Sequence, residues 1–408
     1  MKKVIVLYLG NVFDEKEDLL GDQTPLEVAE TPFFDHIYSS SYNGTLANPD
    51  IHDSFSLTSV LSILLGSEGF HHSSVLLAKG MGCDLKENDI IFKNNFVSLK
   101  PTAKSLSVMD PLGSSLSIDE KIEFTEFLNS NLFQEDGESF FLKTAPNGDS
   151  VFVYRKNNLE KGLVSFDQFH SPFEFTGREI DVFPKMEDQS KRFMYIMNES
   201  QMLLSKHPVV VESSKDNFLF PNSIWFYEGS YTRLLNRNFD NQTFGKTSVI
   251  SSNLILKGFC SVYGMQFSSF ENYELNSLEE NDLIFIDKEA SEKHVDPIDK
   301  VNTIQELDEE MKKFAEDFLK FDAHVLFLFN FPKNISNYRE RGFSFLFTEL
   351  ENGVFKLPRK KFTKFDLLCM ISNAISPPES KTSEFSEKKF ESRKTLDPVI
   401  LGTKLFKH

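Results

Sequence analysis

Reactive side chains are scattered along this 408-residue chain, and few fall at spacings that chemistry demands. His294 and Asp296 share one polar loop, and an imidazole near a carboxylate is a donor pair suited to a borderline divalent cation. A metal site needs about four donors; this stretch nominates two at most, so plain exposure is the simpler reading of both. His71 and His72 are adjacent, and neighbouring side chains on a strand or loop point apart instead of converging on one ion. Lys246, just ahead of an apolar run, reads by itself as a solvated cation, and Asp167, Glu179 and Asp181 read as solvated anions. Cys83, Cys260 and Cys369 lie far apart, which leaves neither a disulfide framework nor a paired-cysteine metal site.

The elements that must position these groups are clearer. Val4 to Leu9 is an apolar run with the length of a buried strand, ended by Gly10. Thr24-Pro25 and Thr31-Pro32 each mark a helix start, because proline at the first helical position has a suitable φ and needs no N–H. Leu57, Val60, Leu61, Leu64 and Leu65 repeat at helical spacing across Ser54 to Leu65, and Gly66 stops them. Asp89 to Leu99 is strand-like, Ile118 to Leu132 helical, and SFFLK and SVFVYR are strands joined by the turn Ala145 to Asp149. A helix from about Asp188 to Lys206 follows, then a strand Ser223 to Tyr227, a strand–helix unit Thr247 to Tyr263, a strand Asp282 to Ile286 and a helix Ile298 to Leu319. Ala323 to Phe331 is apolar nearly throughout, as in a central parallel strand covered on both faces.

At about 150 residues per domain the length allows two or three domains. Strand–helix alternation at both ends predicts an α/β core of residues 1–99 and 185–375, interrupted by a smaller α+β domain at 100–184. Residues 376–408 read as a polar tail, disordered or wrapped on the surface. Forty-four Lys+Arg against 61 Asp+Glu give a net charge of −17, which disfavours nucleic acid as a partner. No stretch reaches the roughly 18 uncharged apolar residues that span a bilayer, and the short run at the amino end reads as a first strand, not an export signal. The expectation is a cytoplasmic protein with no membrane partner. Phenylalanine supplies 43 residues against one Trp and ten Tyr, a bias that makes Phe the general filler of the core.

Four segments carry a resemblance to a known family. LGDQTPLEVAETPFFDHI (Leu20 to Ile37) resembles the signature LGGKTPLEAAKTPNMDRL of archaeal-type, cofactor-independent phosphoglycerate mutases of the alkaline-phosphatase superfamily. LLAKGMGCDLKENDIIFKNNFVSL (Leu76 to Leu99) is similar to their EAMGVGLKLxxxDxAFRxNFAT segment, and GKTSVISSNLILKGFCSVYGM (Gly245 to Met265) to a later strand–helix element. DKVNTIQELDEEM (Asp299 to Met311) resembles the helix after their metal-binding loop, so the match runs from Met1 to about Phe347. It implies an alkaline-phosphatase-like α/β core, with a mostly parallel central sheet flanked by helices, and an inserted smaller domain. It also implies two divalent cations, manganese or zinc, that activate a serine for phosphoryl transfer, with cationic side chains holding phosphoglycerate.

Set against those requirements, this chain departs at most places. The first metal ligand, an aspartate ending the first strand, falls on Gly10, and the serine nucleophile falls on Leu57, with Ser56 and Thr58 beside it. The family's R-G-R-G falls on His71, His72, Ser73 and Ser74, and its R-G-A-G on Tyr227, Glu228, Gly229 and Ser230. The closing Asp–His metal pair falls on Asn330 and Phe331, and a further histidine on Arg339. In the shortened loop KEASEKHVDP, Glu292 and His294 are the nearest stand-ins for an Asp and a His, and Lys246 alone fits in place and type as a substrate-binding remnant. The expectation is therefore a mutase-like chain without phosphotransfer and without a metal cofactor, acting as a scaffold, a regulatory partner or a binder of a small anionic ligand. The alternative is a working metal-dependent mutase or phosphatase relocated to Ser56 or Thr58 with Glu292 and His294. A third reading is an anion-binding module centred on Lys246, which the net charge of −17 disfavours.

Overall fold

The computed structural model describes residues 3–10, 12, 16–47, 73–103, 105–156, 164–180, 190–213, 220–232, 246–273, 279–289, 296–318, 323–330, 342–351 and 354–356. In chain order the strands are β1 (Lys3–Gly10), β2 (Tyr42–Ala47), β3 (Ile90–Pro101), β4 (Leu106–Asp110), β5 (Glu138–Thr144), β6 (Ser150–Lys156) and β7 (Ser223–Tyr231). They continue as β8 (Thr247–Ile250), β9 (Gln266–Ser268), β10 (Leu283–Glu289), β11 (Ala323–Asn330), β12 (Gly342–Glu351) and β13 (Val354–Lys356). The chain divides into two compact units, one of Met1–Gly69, Phe239–Asn253 and Tyr263–His408, the other of Phe70–Asn238 and Leu254–Val262.

The first unit is built on a sheet of order β13-β12-β11-β1-β10-β8-β9, with β2 paired to β12. β1 is apolar and buried from Val4 onward because parallel neighbours, β10 and β11, flank it on both sides. β11 matches the expected strand to within a residue, but it is parallel only to β1; its other partner, β12, runs antiparallel. The helix Pro25–Val28 opens with a reciprocal cap: Thr24 Oγ1 accepts from the Glu27 amide at 3.1 Å, and Glu27 Oε2 accepts from the Thr24 amide at 2.9 Å. Thr31 makes no such bond at the start of the helix Pro32–Ser39. There the buried carboxylate of Asp308, on the helix Pro297–Phe318, accepts from the Phe33 and Phe34 amides at 3.0 and 2.8 Å. Phe33 and Phe34 then pack with Ile5, Leu7, Ile286 and Ile304 in one core.

The second unit holds an antiparallel sheet of order β4-β3-β6-β5, with β7 also paired to β3. The sequence-based boundaries at 100 and 184 fall inside this unit, because β3 pairs with β6 and β7 and carries residues before 100 and after 184 into the same sheet. Phenylalanine does fill its core: the Phe92 ring lies 4.8 Å from Phe169 and 4.9 Å from Phe193, centroid to centroid. The helices Ser73–Gly80 and Leu254–Tyr263 cross with backbones in contact. A Cβ at Gly80 would stand 1.8 Å from the Leu254 carbonyl oxygen, and one at Gly258 would stand 1.8 Å from that of Leu76, so only glycine fits at either place. The expected helix at 54–65 and the tail at 376–408 lie outside the described residues. Among the described residues no helix is long and apolar enough to cross a membrane.

Candidate functional site

Ligands of open parallel sheets gather beyond the carboxyl ends of the strands. β1 ends at Gly10, level with Glu289 of β10, and the adjacent β11 ends at Asn330, so two places that the resemblance marks for metal ligands reach the same edge. Gly10 has no side-chain donor atom to offer there, and Asn330 is a neutral amide where an aspartate is implied. Such a donor set does not suit a pair of divalent cations. Among the described residues no group of three His, Cys, Asp or Glu side chains is placed to hold a metal ion. Ser56, Leu57, Thr58, His71, His72, Glu292, His294, Phe331 and Arg339 lie outside the described residues. One polar pair near this edge escapes sequence reasoning: Ser251 Oγ, just past β8, donates to buried Asp287 of β10 at 2.6 Å.

Lys246 is not brought to that edge. It precedes β8, whose first residue Thr247 is level with Leu283 and hence with Val4, at the amino end of the sheet. Gly10 lies six positions farther along β1 than Val4, about 20 Å away at the usual rise of a strand. The Lys246 ammonium is exposed and pairs with Glu280 at 3.0 Å. An exposed pair of this kind contributes about 0–1 kcal/mol. Its position is that of a surface cation.

The two matched arginine-motif segments do meet, in the second unit. β7 carries an extra residue opposite Phe92: Ile91 pairs with Ser230 and Lys93 with Tyr227, leaving Glu228 and Gly229 against one partner. Glu228 takes φ +48°, a left-handed conformation usually left to glycine and costing other residues about 1–2 kcal/mol. Gly229 has no alternative, since a Cβ there would lie 2.3 Å from the Phe166 ring and 2.4 Å from that of Phe92. The bulge aims the Glu228 carboxylate at Ser73, the first residue of the helix Ser73–Gly80. Its Oε2 accepts from Ser73 Oγ at 2.5 Å and lies 2.6 Å from the Lys93 ammonium. Tyr227 donates its hydroxyl to Asn95 Oδ1 at 3.2 Å; burial first, then the Glu228 charge, pushes that phenol above its ordinary pKa. The residue types alone did not single out Lys93 and Glu228 as a pair. The signal that could have found them is the Glu-Gly step inside a strand pattern, which marks a bulge.

What the cluster can do follows from its charges. Where the resemblance implies guanidinium groups for a substrate anion, this chain offers tyrosine, serine and a carboxylate that already engages the nearest ammonium. A second anion brought there meets like charge at contact distance.

Comparison with known proteins finds likeness in sequence and in fold. Residues 70–210 match the family described as 2,3-bisphosphoglycerate-independent phosphoglycerate mutase. The chain is 26% identical over 345 residues to a probable 2,3-bisphosphoglycerate-independent phosphoglycerate mutase of Geobacter sulfurreducens, covering 79% of this chain and 80% of the relative. It is 26% identical over 320 residues to the mutase of that name from Methanosarcina barkeri, covering 73% and 76%. The solved structure of the PH0037 protein from Pyrococcus horikoshii superposes with a TM-score of 0.58 at 17% identity, covering 87% of this chain and 91% of that one. The chain thus resembles the cofactor-independent phosphoglycerate mutases through most of its length and has the alkaline-phosphatase-like α/β fold that the resemblance implies.

Proposed function

We propose that this chain is a phosphoglycerate-mutase-like protein that does not transfer phosphoryl groups, and that it works by binding: as a scaffold, a regulatory partner or a receptor for a small anionic ligand. Gly10 carries the reading. It sits at the carboxyl end of a central parallel strand, at the edge where the implied chemistry requires a charged oxygen ligand, and it has no side chain. The sequence supports it at the other matched places, where Leu57, Asn330, Phe331 and Arg339 replace a nucleophile and three ligands. A cluster that loses one donor can hold its ion more weakly; one that loses most of them has nothing with which to hold it. Under this reading no metal cofactor is bound, and the protein works in the cytoplasm without nucleic acid or membrane.

The test is metal analysis of the purified chain together with an assay of 2- and 3-phosphoglycerate interconversion in added manganese. The expected result is no stoichiometric divalent metal and no turnover. Bound metal in whole-number ratio with mutase turnover would overturn the proposal and return weight to the relocated site on Ser56 or Thr58.

A further inference from the structure

We infer that the Glu228 carboxylate is a built-in occupant of a seat for a small oxyanion, formed by the Lys93 ammonium and the Ser73 hydroxyl, and that this occupancy closes the seat to outside ligands. The Lys93 ammonium and the Ser73 hydroxyl both present donors to the carboxylate, so the seat suits an anion with acceptor oxygens. Lys93 is 17% exposed, and among the described residues its ammonium has Glu228 as its ion-pair partner. A half-buried cation is stabilised by a counter-charge; with Glu228 taken away, no other described carboxylate is paired with it and a dissolved anion can take that place. Ser74, next along the helix and fully buried, has a hydroxyl without a hydrogen-bond partner, a donor to spare at the same helix start.

The backbone gives a second, independent line. Glu228 holds a left-handed φ of +48° inside a strand, and Gly229 beside it is pinned by two phenylalanine rings. The bulge therefore persists whatever occupies position 228, and glycine suits that position better than glutamate does. A side chain retained against its backbone preference, with its carboxylate on a half-buried ammonium, acts as a plug. The inference rests on the non-catalytic reading only in that both make these positions unavailable to a substrate phosphate.

Titration of inorganic phosphate into the full chain tests it. Glu228→Gly should bind phosphate at least about tenfold more tightly than the parent, a change of about 1.4 kcal/mol. Adding Lys93→Met to Glu228→Gly should return the affinity to that of the parent. Glu228→Asn, neutral, shorter and tolerant of a left-handed backbone, should show the same gain and decides the matter if the glycine variant folds poorly. The fluorescence of Trp225, the only tryptophan and a residue of the same unit, reports folding in every case. No gain in either variant, or a gain that survives Lys93→Met, overturns the inference. Mutase turnover by the parent would sink the non-catalytic reading instead, and the phosphate affinity ratio would still decide the plug.

Discussion

Replacing Arg192 with methionine should cost the second unit more than any surface change, and the reason is one enclosed charge cluster. The Glu138 carboxylate has a side chain 0% exposed, and Arg192, 10% exposed, donates to it through Nη2 at 2.5 Å and Nε at 3.0 Å. The Tyr154 hydroxyl and the Glu135 amide complete the set at 2.9 and 2.8 Å. Removing one partner of a buried pair costs about 3–5 kcal/mol, because the other charge stays behind unneutralised. Glu138→Gln added to Arg192→Met removes that stranded charge and should recover about 2 kcal/mol of the loss. The acid limb gives a second readout. Burial alone would raise the Glu138 carboxyl, but the hydrogen bonds from Arg192, Glu135 and Tyr154 outweigh it and hold the group below its ordinary pKa. The pair's stabilisation is then complete above the ordinary glutamate range and declines as pH falls through the lowered value. Without Arg192 the burial effect dominates, so the variant's deficit should shrink on acidification toward pH of about 4.5. Urea titration followed by Trp225 fluorescence reads this unit at both pH values. A loss below about 1 kcal/mol, or a double variant less stable than Arg192→Met alone, refutes the reasoning.

Three further outcomes are open to the same kind of measurement. Gly258→Ala and Gly80→Ala should each destabilise the second unit by about 1–3 kcal/mol or more through overpacking, since their new methyl groups meet carbonyl oxygens at 1.8 Å and the two helices must part; urea titration of Trp225 checks it. Asp308→Ala should cost the first unit about 1–3 kcal/mol, because the Phe33 and Phe34 amides lose their acceptor; hydrogen exchange at those amides should rise with it. Burial raises the Asp308 carboxyl above its ordinary range, so its contribution is largest on the acid side and falls as pH rises through the raised value, a dependence that Asp308→Ala should remove.

The sequence was legible wherever one local rule decided the outcome. The apolar run at Val4 to Leu9 became β1, and Thr24-Pro25 with Glu27 became a capped helix start, because each is fixed within a few residues. Thr31-Pro32 was legible as a helix start but not as to what completes it, since the capping carboxylate comes from Asp308, far along the chain. β12 and the helix Ser73–Gly80 went unread: the one is defined by pairing with β11 and β2, the other by a glycine crossing with a distant helix. The compact units have other bounds than the division at residues 100 and 184 for the same reason, because β3 joins the second sheet by register with β6 and β7 and not by its own composition. At the candidate site, spacing located Gly10 and Glu228, but direction needed the fold. Lys246 matched in place and type and yet stands at the amino end of the sheet, and Lys93 drew no attention until a bulge turned Glu228 toward it.

The glycine crossing bears on how this protein can be dissected. The helix Leu254–Tyr263 follows β8 of the first unit along the chain, yet Leu254–Val262 belongs to the second, seated against Leu76 and Gly80. An expression fragment cut at 70–238 would omit that helix and bare the cluster of Val75, Leu77 and Ile91 against which Leu254 and Ile255 pack. Anyone wishing to study the smaller unit alone must therefore splice a remote segment back onto it, or expect a sticky, half-finished fragment in the tube.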